Sequence, residues 1–508
     1  MSDSSTAALA LLPDDVHNRA LAQLTHPAGW LSPSPKGKYN LVILGAGTAG
    51  LVAAAGAAGL GARVALIERH QTGGDCLNTG CVPSKAVIRA AHAAHEVARA
   101  ASFGVNAGTT SVDFGVVMER MRRLRTQIAP NDSFERFKGL GVDMYMGDAK
   151  FVSPRRVEVN GVALDFSKAV IATGARAAVP SIPGLVDAGY YTNETVFSLT
   201  TLPARWLVLG AGPIGCELAQ SFKRFGAQVT VMALDGRLLP REDPDASEVL
   251  GKRFVEEGIR LELGVKPLRV ERTGETRVVS FERDGATHTV EVDAILVATG
   301  RAPNVENLGL EQAKVAFDRR GVTVDDTLRS TNPHIYASGD VAGRWQFTHT
   351  ADAMSRIVLQ NALFWGRKKA SVLTIPWASY TDPEIAHVGL TSTDAAARGA
   401  EVVTYTAHLS DIDRAILESA EEGFGRVHAD RKTGRILGAT LVGRDAGDLI
   451  AEMSLAVTNR LTLGQLAATI HPYPTRAEVW KRLGDQHSRT RLTPFVKRLF
   501  AWLLARQR

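Results

Sequence analysis

Residues 40–50 read NLVILGAGTAG, and residues 206–215 read WLVLGAGPIG. Each is an apolar strand that runs straight into spaced glycines and then into a stretch of helical character. Glycine permits the tight strand-to-helix turn and lets the backbone approach a pyrophosphate, while the helix N-terminus offers about half a positive charge. A further strand follows in each case, RVALIE at 63–68 and QVTVM at 228–232, completing two β-α-β units. Each unit is later closed by a similar phrase, VIATGA at 170–175 and LVATGR at 296–301. The chain therefore carries one dinucleotide-binding architecture twice. Gly45, Gly47 and Gly50 serve the first nucleotide; Gly210, Gly212 and Gly215, with Gly300 in the closing phrase, serve the second.

The two units differ at the end of the second strand. An acid about twenty residues beyond the glycines accepts hydrogen bonds from ribose hydroxyls. Counting 21 from Gly47 reaches Glu68, whereas 21 from Gly212 reaches Ala233, followed by Leu234 and Asp235. Without an acid there, nothing bonds the 2′-hydroxyl of NADH or repels a 2′-phosphate. Arg237 and Arg241 lie close enough in sequence to reach such a phosphate. The second cofactor is expected to be NADPH or NADH, with the balance toward NADPH.

Just past the first unit stands GGDCLNTGCVPSK, residues 73–85. On an ideal helix residues five apart diverge by about 140°, yet a disulfide needs Cβ atoms about 4 Å apart. A Cys76–Cys81 bond therefore requires a distorted turn, which Gly73, Gly74 and Gly80 make accessible. Pro83 suits the first turn of a following helix, placing Cys81 at a positive helix end that favours thiolate, with Lys85 one turn on. Glycine and polar neighbours are wrong for two inert core thiols. Cys216, inside the second nucleotide helix, reads as a packed thiol.

These cysteines are the only three in 508 residues, too few for a disulfide-stapled secreted scaffold. Length implies two to four domains. Apolar residues at 45% and charged residues at 22% exclude a disordered or fibrous chain. The formal charge of +6 is mild, and no basic stripe with interleaved aromatics points to nucleic acid. The N-terminal stretch makes a poor signal peptide, and no apolar run reaches the ~20 residues of a membrane span. The cytoplasm is the expected location.

The fold class expected is α/β, with two Rossmann-like dinucleotide-binding domains and an α+β C-terminal dimerisation domain. Residues 1–38 read as a polar arm; 39–188 with 301–370 as the first dinucleotide-binding domain; 189–300 as the second; 371–490 as an α+β domain that binds no dinucleotide of its own. Residues 491–508 read as a basic amphipathic helix. Its apolar face is Phe495, Val496, Leu499, Phe500, Trp502, Leu503 and Leu504, with Lys497, Arg498, Arg506 and Arg508 around it. Such a helix packs on the dimer, docks on a partner, or contacts a membrane surface.

Taken in order from Tyr39 to Glu478, these phrases resemble the FAD-dependent class I pyridine nucleotide-disulfide oxidoreductases. Similarity is closest to mercuric reductase-like members, through GGDCLNTGCVPSK, GAGPIGCELAQ, FTHTADAMSRIVLQNALF, SDIDRAILE and HPYPTRAE. The resemblance implies a homodimer with an active site shared between subunits, in which 39–188 with 301–370 is the FAD-binding domain, 189–300 the NAD(P)H-binding domain and 371–490 the dimerisation domain. It implies that Cys81 faces the flavin in a charge-transfer contact and that Cys76 attacks the acceptor. Lys85 would sit near flavin N5 and pair with Glu217; Asp340 would bond the ribityl chain; Thr173 and Gly174 would contact FAD.

Disulfide-reducing members carry a His-Pro-Thr motif whose histidine, held by a glutamate five residues later, protonates the leaving thiolate. Counting back five from Glu478 gives Tyr473. Tyrosine titrates near 10 and histidine near 6.5, so Tyr473 is a poor proton shuttle at neutral pH. His471 lies two residues upstream and faces the same way on an extended segment. The resemblance to mercuric reductase is incomplete, because that enzyme's C-terminal cysteine pair is absent from TPFVKRLFAWLLARQR. No resident metal is expected, although a thiophilic metal would meet Cys76 and Cys81 in transit. The expected activity is reduction of a metal ion or thiophilic acceptor. The alternatives are a reductase of small disulfides or quinones and a flavoprotein redox sensor or binding module.

Overall fold

A computed structural model describes residues 11–109, 111–343 and 345–508; the start of the N-terminal arm lies outside them. The chain forms two compact units, residues up to Leu234 with Gly264–Leu373, and Asp235–Leu263 with Thr374–Arg508.

In the first unit, a parallel sheet runs Asp143–Met146, Val64–Glu68, Tyr39–Leu44, Val162–Ile171 and Ile335–Ala337. Tyr39–Leu44 is central, and Leu41 to Leu44 are all fully buried. That is why this strand reads as an unbroken apolar run: a parallel strand covered on both faces has no polar side. One face packs on helices Thr48–Gly59 and Thr348–Leu363. They meet closely, since a Cβ on Gly56 would come within 2.4 Å of Leu359 Cδ1. The other face is covered by a core that includes Phe151, Val157 and Leu164 of an antiparallel extension.

The second nucleotide fold of the same unit orders its parallel strands Gln228–Ala233, Arg205–Leu209 and Ala294–Val297. Helix Pro213–Arg224 contacts its strands, and Trp206 stacks on Phe222 at 4.6 Å between ring centres. An antiparallel meander, Lys266–Thr273, Thr276–Arg283 and Ala286–Val292, supplies Val270, Val279, Phe281 and Val290 to the core. The expected N-terminal arm contains a helix, Val16–Thr25, with Asn18, Leu21 and Thr25 buried.

The second unit is built on a five-stranded antiparallel sheet, in order Pro376–Ser379, Glu384–Gly389, Ile436–Gly443, Phe424–Asp430 and Val402–His408. Helices Ala446–Thr458 and Glu478–Thr490 seat Met453, Trp480 and Leu483 in its core. Arg426 ties this sheet to Asp243 and Asp245 at the start of helix Pro244–Glu256. The tail forms helix Pro494–Ala505, capped by the Thr493 side chain and without a buried residue.

Candidate active site

The two glycine turns have nearly the same backbone. Gly45 has φ +101° and Gly210 φ +109°; a Cβ would lie 2.4 Å from Ala172 O or 2.3 Å from Ala298 O. Only glycine fits either place. Each turn feeds a helix whose N-cap, Gly47 or Gly212, makes no side-chain capping bond. The first amides are left for an anionic ligand. These cradles fit the pyrophosphates of FAD and a nicotinamide dinucleotide.

Glu68 ends its strand with both carboxylate oxygens engaged, accepting from Ala46 N at 2.7 Å and His70 N at 2.8 Å. The acid thereby locks the first turn. Ala233 is buried and Leu234 exposed at the corresponding end of the second unit. Arg237 donates to the carbonyls of Pro240 and Glu242 in its own turn, and Arg241 is exposed.

The cysteine turn is two helices with a break. Gly73, at φ +85°, opens helix Gly74–Asn78, and Cys81 begins helix Cys81–Ala98. Gly74 lies against Gly47, where a Cβ would reach within 2.6 Å of Gly47 Cα, so the thiol turn is pressed onto the nucleotide turn. Both thiols are unbridged and hydrogen-bonded to each other. That bond lowers Cys81 to about 6 against opposing burial, helped by the Thr348 hydroxyl and the Lys85 charge. Cys76 is pushed up by the same bond and by burial. Thr348 Oγ1 is 3.4 Å from Cys81 Sγ.

Lys85 Nζ lies 2.8 Å from the nearly buried Glu217. Asp340 opens a short 3-10 turn after Gly339, and burial pushes its carboxyl up. Arg301 is 3.4 Å from Asp340 and 3.1 Å from Asp75, the residue before Cys76. The Arg301 Nε is buried and faces Asp340 Oδ2, so one guanidinium links the Asp340 turn to the cysteine turn. Thr173 and Asn304 bond each other's backbone, at 2.7 and 2.9 Å, and Asn304 N also bonds Gly174 O. Gly300, at φ +134°, accepts from Ala178 N.

In the second unit, Tyr473 is 72% exposed and donates to Asp413 Oδ2 at 2.9 Å. That bond raises the phenol above its ordinary value. Glu478 sits one helical turn from Arg482, at 3.5 Å, and its Oε2 is buried without a hydrogen-bond partner among the described residues. The acid that bonds Tyr473 is thus Asp413, inside the SDIDRAILE phrase, and no spacing rule within HPYPTRAE points to it. His471 bonds Glu452 at 2.9 Å and Thr469 O at 3.1 Å. Thr348, Arg301, Asp75 and Glu452 are not singled out from sequence; the first three lie within quoted motifs and Glu452 in none, and only the folded chain shows their neighbours. Among the described residues, no group of three or more metal-ligating side chains forms.

Comparison with known proteins agrees with this geometry. Residues 39–355 match the family described as pyridine nucleotide-disulphide oxidoreductase, and residues 375–483 match its dimerisation domain. A mercuric reductase from Bacillus cereus is 36% identical over 441 residues, covering 87% of this chain and 70% of the relative. A dihydrolipoyl dehydrogenase from Chlamydia muridarum is 33% identical over 452 residues, covering 87% of this chain and 95% of the relative. The Cu(II) complex of the HOCl-induced flavoprotein disulfide reductase RclA from Escherichia coli superposes with a TM-score of 0.79 at 29% identity, covering 89% of this chain and 99% of that one. With two nucleotide cradles, a paired-thiol turn and a dimerisation domain, the chain belongs to the class I pyridine nucleotide-disulfide oxidoreductases, flavoenzymes that use FAD and NAD(P)H.

Proposed function

We propose that this protein is a mercuric reductase-like enzyme that spends NAD(P)H on a soft metal ion or another thiophilic acceptor. The observation that carries the reading is Tyr473. A phenol bonded to Asp413 and raised further from neutrality cannot protonate a leaving thiolate efficiently. It can close a pocket around an acceptor that needs no proton. The Cu(II) complex of RclA is a second support, since a structural relative binds a thiophilic ion.

Bound at the first cradle, flavin would supply two-electron chemistry between NAD(P)H and the thiols. The chain's residues do the rest. Cys81, held as thiolate by the Cys76 bond, Thr348 and Lys85, would be the thiol toward the flavin, and Cys76 the thiol that engages the acceptor. Lys85 is fixed by Glu217. Reduction of the disulfide consumes two electrons and two protons and leaves the dithiol. The paired thiolates then hold a divalent soft ion while a further pair of electrons reduces it, Hg(II) to Hg(0). Tyr473 of the partner subunit lines the same pocket in a homodimer. The missing acid beside Ala233 favours NADPH.

A second reading, reduction of a small disulfide or quinone, has one observation of its own. His471 and Glu452 form a histidine–carboxylate pair that can supply a proton. An acceptor panel tests both. NADPH oxidation sustained by Hg(II) or Cu(II) with excess thiol supports the first reading. Turnover with disulfides or quinones alone, abolished by His471→Ala, replaces it with the second.

The tail adds an address. Residues 486–508 contain six lysines and arginines and no acid, so the chain's whole formal charge of +6 resides there. Phe495, Phe500, Trp502 and Leu504 are exposed on the same helix. This charge and apolar face suit the surface of an anionic bilayer. Sedimentation of the full-length protein with phosphatidylglycerol vesicles, lost in high salt and after deletion of 492–508, is expected. A deletion that leaves vesicle binding intact, or that instead dissolves the dimer, overturns this assignment.

A further inference from the structure

Helix Val16–Thr25 precedes the stretch that matches the family, which begins at residue 39. Its buried face is aimed at the cysteine turn. Leu21 is fully buried in a small cluster with Leu77 and Ala129, joined by Leu24 and Val82. Leu77 directly follows Cys76, and Val82 directly follows Cys81. The helix therefore shares a small apolar cluster with Leu77, and Val82 packs against that same cluster.

A polar relay runs beside this contact. Arg125, only 6% exposed, donates from Nη1 to the Asn78 carbonyl at 2.6 Å and from Nη2 to Asn18 Oδ1 at 2.6 Å. Asn78 is midway between the cysteines. Asn18 is held in turn by Pro13 O and by its backbone bond to Asp15, whose carboxylate also pairs with Arg122. At the other end of the helix, Thr25 O accepts from Thr72 N, and Gln71 donates to the Thr25 hydroxyl. His26 contacts His70 O. The turn is gripped ahead of Gly73 and again at Leu77 and Asn78, on both sides of its most pliant glycines.

We propose that the N-terminal helix is a positioning clamp for the thiol pair, with Asn18, Leu21 and Arg125 acting through Leu77, Val82 and the Asn78 carbonyl. The inference rests on Cys76 and Cys81 being the redox pair. Left unclamped, a turn containing Gly73, Gly74 and Gly80 samples wider separations. Wider separation removes the hydrogen bond that stabilises the Cys81 thiolate and disfavours disulfide closure. Asn18, Leu21 and Arg125 touch no reacting atom; they are positioning residues.

The test uses full-length flavin-loaded enzyme and the variants Asn18→Ala, Leu21→Ala and Asn18→Asp, with the exposed Arg19→Ala as control. Two quantities are read: the pH profile of iodoacetamide alkylation in the reduced enzyme, and the thiol–disulfide equilibrium against dithiothreitol. Asn18→Ala and Leu21→Ala are expected to move the alkylation midpoint upward and shift the equilibrium toward dithiol by about fivefold. Asn18→Asp keeps the acceptor for Arg125 and is expected to restore both, while Arg19→Ala leaves both unchanged. Wild-type profiles in folded, flavin-loaded Asn18→Ala and Leu21→Ala would overturn the clamp. If wild-type enzyme shows no dithiol–disulfide exchange at all, the redox-pair reading itself fails, a result distinct from an inert clamp.

Discussion

The two nucleotide turns of the first unit share a backbone and differ in one side chain. Gly45 and Gly210 sit at almost equal φ against the same kind of carbonyl, yet one strand ends in Glu68 and the other in Ala233. The glycines answer to the chain itself, because any Cβ there collides with main chain. The strand-end residue answers to the ligand. Glu68 also works for the chain, since it bonds two amides of its own turn. The second turn has no such latch, which suits a substrate that must come and go.

The comparison breaks most violently at the shared feature. Gly45→Ala meets Ala172 O and an unfavourable φ together and is expected to cost about 3 kcal/mol or more. Protein recovered without yellow colour and with a depressed Tm would show it. The twin, Gly210→Ala, is expected to keep flavin while losing its reduction by NAD(P)H in stopped flow. Glu68→Ala removes the latch alone, at about 2–3 kcal/mol from two charge-assisted bonds. Flavin content after desalting should fall while NAD(P)H binding to the emptied protein persists. Ala233→Asp makes the second turn resemble the first and should move the NADPH-to-NADH ratio of kcat/KM about tenfold toward NADH.

The thiol turn belongs to the first unit's cradle, and its pH dependence sharpens the contrast further. Cys81, lowered to about 6 by its bond from Cys76, is mostly thiol at pH 5 and mostly thiolate at pH 7. Alkylation of Cys81 in the reduced enzyme should therefore rise about tenfold across that interval and flatten above it. The smallest effect is expected at Arg237. Its guanidinium is held by Pro240 and Glu242 carbonyls, so Arg237→Ala should change the KM for NADPH by less than about twofold.

Sequence reading reached what depends on short-range geometry. Spaced glycines after an apolar strand, a cysteine pair among glycines, and proline in the first turn of a helix each impose their own backbone, and the nucleotide folds followed from them. It did not reach what depends on tertiary neighbours. Nothing near Tyr473 in the chain names Asp413, sixty residues earlier, as its hydrogen-bond partner. Arg301 reads as the end of a closing phrase until the fold sets it between Asp75 and Asp340. The arm before Tyr39 looked like polar linker because only Asn18, Leu21 and Thr25 of its helix are buried, too narrow a stripe to stand out by periodicity.

The central claim is that Cys76 and Cys81 form a second two-electron store beside the flavin. Anaerobic dithionite titration of purified yellow enzyme, followed at the flavin absorbance, addresses it directly. Uptake of about four electrons per flavin is expected, falling to about two in Cys76→Ser. Uptake of only two electrons by the unaltered protein would contradict it.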